Sequence, residues 1–566
     1  MKTNKILLIA ILLLAALLRF WKLNDYPALN ADESAIGYNA YSLIQTGMDE
    51  HGNSWPIHFQ SFNDYKPGLY FYLVLPFVKF SGLNEWAVRI PSATLGVLSV
   101  WAIYLLVNEL FGSKMANSQW LIDKKNKLII NHESLAISAS FLLAISPWHI
   151  HFSRGGWEVS VATFFITLGL YFFVKAIRKS NLLLFALCSL LFALSFYTYH
   201  AARIVVPLLG IGLLVIYRDS IKKNVKNVAL AGLVGLVALL PLIKDFTRPE
   251  ISSRAAGVGL FADPGPLSRV NEQRGEHGDY TSIQAKLLHN KAVNYSLAFL
   301  DNWSEHYHGL FLFLSGDDIQ RNKVPETGQM YLFDILFLTL GVVFLLKSKI
   351  LNPKSRNLIL WWLLVAPTAS ALTFQSPHAL RSQNMVIPLT IIGAVGFSYI
   401  LKWLKLNITS KSLLTTYYIL LATVIFWNFA RYQHMYWIHM AKEYPFSSQY
   451  GVKELVAYVN ENKDKYENII VTDRYDQPYI LFLFYLKYPP DMFQKEHELT
   501  ARDKFGFSTV RAFDRFEFRS IEWDTDQPTN PNSLIIGTDE EIPDEANIVK
   551  EIYGTNGYKY FQVVAN

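Results

Sequence analysis

Long stretches without charged residues alternate with short charged segments along most of the chain. Several of these stretches contain 17 to 21 residues, which is enough to cross a membrane core of about 30 Å at about 1.5 Å per residue. The pattern therefore predicts a mainly α, polytopic transmembrane protein with about eleven spanning helices. The predicted spans lie at residues 6–22, 90–107, 134–150, 159–174, 181–199, 204–217, 227–243, 329–346, 357–377, 382–401 and 412–430.

One further apolar stretch, PGLYFYLVLPFV at 67–78, has only 12 residues. Counting it as a span would invert every later loop, so we expect it to lie flat in the membrane interface or to re-enter the same face. The first run, 6–22, resembles a signal peptide in length, but no small-residue cleavage pattern follows it. We therefore interpret that run as a spanning helix.

Three long segments lie between or after the spans, on the side opposite the N-terminus: 23–89, 244–328 and 431–566. The last segment contains a helical pattern, GVKELVAYVNENKDKY, and three strand-like runs, NIIVTD, NSLIIGT and GYKYFQVVAN. We predict a transmembrane core over 1–430 and a small C-terminal α/β domain over 431–566.

The charges in the loops predict the orientation. The loops on the side of the N-terminus, 1–5, 108–133, 175–180, 218–226, 347–356 and 402–411, hold 20 Lys and Arg residues but only four acids. On the other side, residues 24–85 hold seven acids and only two lysines. Basic residues favour the cytoplasmic side. We therefore expect a bacterial or archaeal plasma-membrane protein with a cytoplasmic N-terminus and an extracytoplasmic C-terminal domain.

Composition agrees with a membrane protein: 51% of the 566 residues are hydrophobic and 15% are aromatic. The net charge of +6 comes from basic residues scattered over short loops rather than a stripe, so nucleic acid is not an expected partner. The one cysteine, Cys188, excludes an internal disulfide framework.

The external side of a membrane has no ready supply of nucleotides, and the chain lacks a phosphate-binding G-x-x-x-x-G-K-[ST] loop. Group transfer there needs a donor that arrives through the membrane, such as a sugar on a polyprenyl phosphate. Breaking the bond from sugar C1 to phosphate needs a carboxylate that takes the proton of the acceptor. It also needs cations that stabilise the departing phosphate.

Candidates for both roles collect at the external ends of the predicted spans, where charges are costly and often functional. They are Asp32, Glu33, Lys66, Arg154, Glu158, His200, Arg203, His378 and Arg381. Each has a simpler interpretation: acids after a span are often solvated, Lys66 and Arg203 could anchor the chain at the interface, and Arg154 could pair with Glu158. Their convergence on one face favours a site.

Metal binding is less clearly indicated. WDTDQ, with Asp524 and Asp526, matches the D-x-D pattern that holds a metal and a nucleotide sugar. That pattern arises easily by chance, and no nucleotide-binding α/β unit precedes it. Histidines and acids in HGD and SEHYHG have no strong metal-ligand spacing. A divalent metal ion is therefore neither predicted nor excluded, and no other cofactor is predicted.

Five motifs occur in order along the chain: ADE in the first predicted external loop, KPGLYFYL, SRGGWEVSVATFF, FLFLSGDDIQRNKVPETGQMYLFDILFLTLGVV and PHALRSQNMVIPL. Together they resemble the family 39 glycosyltransferases of the GT-C superfamily, which include protein O-mannosyltransferases and the bacterial enzyme that adds aminoarabinose to lipid A. The resemblance covers about residues 1–430 and is strongest for the bacterial branch.

The resemblance implies roles for particular residues. The catalytic aspartate of the family falls on Asp32, and its second acid, usually an aspartate, falls on Glu158. The phosphate-binding lysine before a proline matches Lys66, and the arginine of the late loop matches Arg381. In relatives a carboxylate before that lysine can help to hold a metal, whereas this chain has Tyr65 there.

The sequence thus predicts an inverting, integral membrane glycosyltransferase that takes a sugar from a polyprenyl-phosphate donor. The acceptor would be a glycan, a lipid or a protein. We expect Asp32 to be the base and Glu33 and Glu158 to orient substrates. Lys66, Arg203 and Arg381 would bind phosphate, with Tyr65, Arg154, His200 and His378 nearby. A flippase for lipid-linked sugars is the alternative, although no repeated halves are evident; a cell-surface sensor would not need eleven spans.

Overall fold

A computed structural model of the protein describes residues 2–112, 131–248, 257–347, 352–447, 449–503 and 506–566. Most of the predicted loop 108–133 and part of the loops 244–328 and 347–356 lie outside these ranges.

Helices make up most of the described chain up to residue 443, and one short hairpin of strands interrupts them. The elements are α1 Lys2–Phe20, α2 Ala31–Thr46, β1 His58–Ser61, β2 Asp64–Pro67, α3 Leu69–Ser81, α4 Glu85–Phe111, α5 His132–Ile145, α6 Pro147–Arg154, α7 Glu158–Lys179, α8 Leu182–Phe196, α9 Ala202–Ile216, α10 Arg218–Lys223, α11 Val225–Asp245, α12 Gly265–Gly275, α13 Ile283–Leu288, α14 Lys291–Glu305, α15 Asp334–Lys347, α16 Pro353–Val365, α17 Thr368–Ala371, α18 Val386–Asn407, α19 Lys411–His434 and α20 Met440–Glu443.

Each of the eleven predicted spans contains a helix, but the helices differ in length. Among the described residues, five helices are long and apolar enough to cross a membrane, and a sixth counts if α5 and α6 form one bent span. The predicted number of eleven spans is therefore not confirmed. The physical reason is length: α8 and α9 have 15 residues each and would reach only about 23 Å.

The helices α5 and α6 show how local sequence divides one apolar stretch into two helices. The two helices meet at 56°, because Pro147 occupies the first position of α6 and the Ser146 side chain caps that helix by accepting from the backbone N–H of His149. Proline at this position cannot continue the preceding helix. The break directs α6, which carries Arg154, across the end of the bundle.

The C-terminal part is an α/β unit. It contains α21 Val452–Asn462, β3 Asn468–Val471, α22 Pro478–Leu486, α23 Pro490–Glu496, β4 Ala512–Phe513, β5 Phe516–Phe518, α24 Trp523–Thr529, β6 Ser533–Gly537, β7 Ile548–Tyr553 and β8 Lys559–Ala565. Its six strands form one sheet in the order β4-β5-β3-β6-β8-β7, with β3 parallel to both of its neighbours. The helix and the three strands predicted from the sequence are thus confirmed.

This unit packs directly on the segment 23–89. Apolar side chains of α2, α3, α21 and α22 share one hydrophobic core with the sheet. A methyl group at Gly37 of α2 would lie 2.6 Å from Phe484 of α22 and 2.8 Å from Val88, so only glycine permits this approach. The helical segment that begins at Lys411 continues to Glu443, beyond residue 430. The domain boundary at 430 therefore stays a prediction.

Candidate active site

The two adjacent acids lie in the first turn of α2, which begins with a capping box. The Asn30 side chain accepts a hydrogen bond from the Glu33 backbone N–H at 3.0 Å, and the Glu33 carboxylate accepts from the Asn30 backbone N–H at 3.3 Å. Carboxylates at a helix N-terminus are stabilised by its exposed N–H groups. The cap fixes where the helix starts and therefore where Asp32 points.

Asp32 contacts two cations that come from distant parts of the chain. Lys66 Nζ lies 2.5 Å from Asp32 Oδ1, and Arg321 Nη1 lies 3.4 Å from Asp32 Oδ2. The side chain of Lys66 is 10% exposed and that of Asp32 27% exposed. Lys66 stands on β2, paired with Phe59 of β1, so the hairpin presents the ammonium to the start of α2.

A second acid, Glu158, belongs to the same group. It is the first residue of α7. Burial lowers the pKa of Lys66, but the carboxylates of Asp32 and then Glu158 outweigh this effect and raise it. Lys66 therefore remains charged, and Glu158 is near enough to act on it electrostatically.

Glu33 points the other way and is 1% exposed. Its carboxylate accepts from Arg89 Nε at 2.7 Å and Arg89 Nη2 at 2.8 Å, and from the Gly156 N–H at 2.7 Å. Arg89 also donates to backbone carbonyls of residues 23, 27 and 28. These contacts favour a positioning role for Glu33, since they connect the turn before α2 to the segment that precedes Glu158.

Arg154 is buried and holds the end of α1. It donates to the backbone carbonyls of Leu18, Arg19, Trp21 and Tyr26 and to the hydroxyl of Tyr436. Carbonyls at a helix C-terminus lack intrahelical partners, and a cation satisfies them well. The contacts favour a supporting role, and a substrate-binding role for Arg154 stays a prediction.

A second basic group lies around β1. Arg203 donates to His58 Nε2 at 2.7 Å and contacts His200 Nδ1 at 3.0 Å, while His58 Nδ1 lies 2.5 Å from Asp245. Arg248 stacks over Tyr65 at 5.6 Å. Since Tyr65 and Lys66 are neighbours on β2, the hairpin connects this group to the one around Asp32.

His378 and Arg381 stand on the loop before α18. His378 Nδ1 lies 3.6 Å from Asp317, and Arg381 donates to Thr373 Oγ1 at 2.6 Å. Asp317 also accepts from Asn322, the residue after Arg321, at 3.0 Å. Asp317 therefore links the late loop to the segment that carries Arg321.

Metal binding finds no support from side-chain geometry in the described ranges, where no group of three or more His, Cys, Asp and Glu residues could hold an ion. In the D-x-D motif, Asp526 instead accepts two hydrogen bonds from Arg519, at 2.6 and 2.9 Å, and one from the Glu522 N–H. That aspartate stabilises the start of α24.

Sequence reasoning missed Arg321, Arg89 and His58. Arg321 lies within the quoted motif FLFLSGDDIQRN, but a single arginine in a long loop gives no further signal. Arg89 could have been noticed as a charge at the external end of a predicted span, the criterion that selected the others.

Part of the chain is similar to known proteins. Residues 9–119, which include Asp32, Lys66 and Arg89, match the family model described as dolichyl-phosphate-mannose-protein mannosyltransferase. The Bacillus subtilis (strain 168) protein YkcB, provisionally described as a mannosyltransferase, is 26% identical over 145 residues. That match covers 25% of this chain and 18% of YkcB.

Whole-chain similarity comes from solved structures. ArnT from Cupriavidus metallidurans, solved bound to undecaprenyl phosphate, superposes with a TM-score of 0.53 at 11% identity, covering 99% of this chain and 97% of ArnT. The chain shares the fold of ArnT. The resemblance predicted from the sequence is confirmed for the fold of this integral membrane protein. The archaeal oligosaccharyltransferase AglB from Archaeoglobus fulgidus superposes with a TM-score of 0.49 at 14% identity, covering 85% of this chain and 63% of AglB.

Proposed function

We propose that the protein is an inverting glycosyltransferase that moves a sugar from a polyprenyl-phosphate donor to an acceptor at the external membrane face. The observation that supports this most strongly is the contact of Asp32 with Lys66 and Arg321. The reaction needs a base on one side of sugar C1 and cations on the other, and a donor bound between Asp32 and these two cations would have both within reach. ArnT, which shares the fold, was solved with undecaprenyl phosphate bound.

In the free protein, the proposed base Asp32 already contacts cations. Asp32 pairs with Lys66 at 2.5 Å, so one oxygen of the proposed base already contacts a cation. The donor phosphodiester carries one negative charge, like a carboxylate, but its two unbridged oxygens can accept from Lys66 and Arg321 together, so it would compete with Asp32 for both cations. Donor binding would therefore release Asp32 from its partners and prepare it for the acceptor.

The chemistry then follows directly. The acceptor hydroxyl or amine attacks sugar C1 from the face opposite the phosphate and loses its proton to Asp32. The bond from C1 to the phosphate oxygen breaks, and the electron pair leaves with the phosphate, whose growing charge Lys66 and Arg321 stabilise. Glu158 helps Asp32 to hold Lys66 charged and would orient the sugar.

Arg203 and Arg381 are proposed as further contacts of the phosphate or of the lipid-linked sugar. Arg203 is positioned by His58 and His200 on the hairpin side, and Arg381 by Thr373 on the late loop. Glu33 and Arg154 would support the site from behind without touching substrate.

The test uses the full chain in lipid vesicles with undecaprenyl-phosphate-linked mannose, a matched donor carrying another sugar, and a membrane extract as the acceptor source. We expect release of undecaprenyl phosphate and a glycosylated product of increased mass, whose sugar linkage has the anomeric configuration opposite to that of the donor. A flippase would move the intact donor between leaflets without releasing phosphate. Movement without bond cleavage would contradict the proposal.

A further inference from the structure

A glutamine joins the start of α2 to a loop of the C-terminal α/β unit. Gln449 Oε1 accepts from the Ala31 backbone N–H at 2.6 Å, and Gln449 Nε2 donates to the Asp476 backbone carbonyl at 2.6 Å. Ala31 precedes Asp32 in the chain. One side chain therefore fixes the distance between the backbone of the proposed base and the backbone of Asp476.

Further contacts hold the same loop against the hairpin that carries Lys66. Gln477 donates to the Ser508 carbonyl at 3.4 Å, and the Ser508 N–H donates to the Phe62 carbonyl at 2.9 Å. The Phe62 ring lies 5.1 Å from Lys66 Nζ. The C-terminal unit thus contacts both chain segments that form the proposed site. Asp476 and its neighbour Gln477 lie in the loop that makes these contacts.

Asp476 interacts electrostatically with the charges of the site. Asp476 is exposed, yet the protein around it partly displaces water, which raises its pKa; the Asp32 carboxylate raises it further, and Arg321 and Lys66 lower it. In the part of the chain that the structure describes, the Asp476 carboxylate accepts no hydrogen bond and forms no ion pair within 4 Å. The proposed chemistry uses Asp32 and does not use this second carboxylate.

We propose that Asp476 binds the acceptor, which presents a hydroxyl or ammonium group to it and carries no phosphate beside the nucleophile. This inference rests on the proposed function. A lipid-linked donor would reach Lys66 from the membrane. Asp476 is linked to the start of α2 through Gln449 and belongs to the C-terminal α/β unit, so an acceptor that arrives from water would meet both carboxylates. An ionised carboxylate only accepts hydrogen bonds, so a hydroxyl or ammonium group satisfies it. A phosphate would face two like-charged carboxylates.

The experiment measures acceptor and donor kinetics separately for the full chain in vesicles. Undecaprenyl-phosphate-linked mannose is the donor, and methyl mannoside, glucosamine and glucose 6-phosphate are compared as acceptors at equal concentration. We expect transfer to the first two to exceed transfer to glucose 6-phosphate by about tenfold or more. In Asp476→Asn the acceptor KM should rise about tenfold, the loss expected for a hydrogen bond to a charged group, with the donor KM changed less than twofold.

Asp473→Asn is the matched control, since it removes the same charge from the same loop. Asp473 instead accepts from Ser520 at 2.9 Å, so both KM values should stay within twofold of wild type. An unchanged acceptor KM in Asp476→Asn, an equal rise in both KM values, or preferred transfer to glucose 6-phosphate would overturn the inference while leaving the transferase proposal intact. Failure of the wild type to release undecaprenyl phosphate with any acceptor, membrane extract included, would contradict the proposed function itself.

Discussion

Asp32 and Glu33 are neighbours in sequence, and we expect their amide variants to fail in different ways. Asp32→Asn and Glu33→Gln each remove one charge and keep the shape of the side chain. Asp32 is 27% exposed and faces Lys66 and Arg321. Glu33 is 1% exposed and pairs with Arg89, which is 0% exposed. The first change should abolish function with little effect on stability, and the second should mainly destabilise the fold.

The magnitudes follow from burial. Removing one partner of a buried ion pair leaves the other charge without compensation and costs about 3–5 kcal/mol. Glu33→Gln should cost that much, because Arg89 and the Gly156 N–H would then face an amide that offers one acceptor oxygen. A partly exposed ion pair contributes up to about 1 kcal/mol, so Asp32→Asn should change stability by no more. Its turnover should fall by at least ~10²-fold, the lower range for loss of a general base.

Thermal unfolding in detergent, followed by intrinsic fluorescence, is measured beside release of polyprenyl phosphate. Glu85→Gln is the control for stability, since Glu85 pairs with Lys453, whose side chain is 64% exposed, and it should unfold close to wild type. Normal turnover in Asp32→Asn would show that Asp32 is not the base. A Glu33→Gln protein that unfolds like wild type yet loses turnover would refute the positioning role of Glu33.

Three other predictions test the phosphate contacts, the orientation and a buried acid. Lys66→Met and Arg321→Met should each lower turnover by a larger factor than they lower donor affinity, because the charge on the phosphate grows in the transition state. The losses should be clearly non-additive in the double variant, and additive losses would place the two cations at different sites. The cysteine of Ser54→Cys should react with an impermeant thiol reagent added outside the cell, whereas that of Pro353→Cys should not. Labelling of the second and protection of the first would show that the predicted orientation is wrong. Burial raises the pKa of Glu50 to about 8, so the protonated carboxyl stabilises the fold fully below about pH 4.5, and this stabilisation is lost as the pH rises through about 8. Glu50→Gln should therefore flatten the fall in unfolding temperature over this pH range, and an unchanged fall would contradict the prediction.

The sequence was sufficient for the fold because hydrophobic periodicity dominates this chain. Every predicted span contains a helix, and the strands after residue 467 lie where β-branched and aromatic residues cluster. Helix ends could not be predicted equally well. Ser146 and Pro147 form a cap and a first turn that divide one apolar run, and hydropathy alone does not detect such a break.

The site was predicted where its residues belong to local motifs and missed where only tertiary packing unites them. Asp32, Lys66 and Glu158 each stand in a recognisable segment beside the predicted membrane face. Arg321 and Asp476 reach the same place from a long loop and from the C-terminal unit, and no pattern in the sequence links those segments to Asp32. Tertiary contacts such as those of Gln449 bring them there.

The opposite orientations of Asp32 and Glu33 follow from the geometry of a helix. Consecutive residues are about 100° apart around the axis, so two adjacent acids in a first turn cannot both face one cleft. Asn30 and Glu33 have the spacing of a capping box, N-x-x-E, and this signal in the sequence already marks Glu33 as the acid that turns back to the cap. Through Arg89 and Gly156, the same carboxylate fixes the chain just before Glu158 relative to Asp32. On the proposed function the site needs both acids, one exposed for proton transfer and one buried to hold the segment of Glu158 at the right distance.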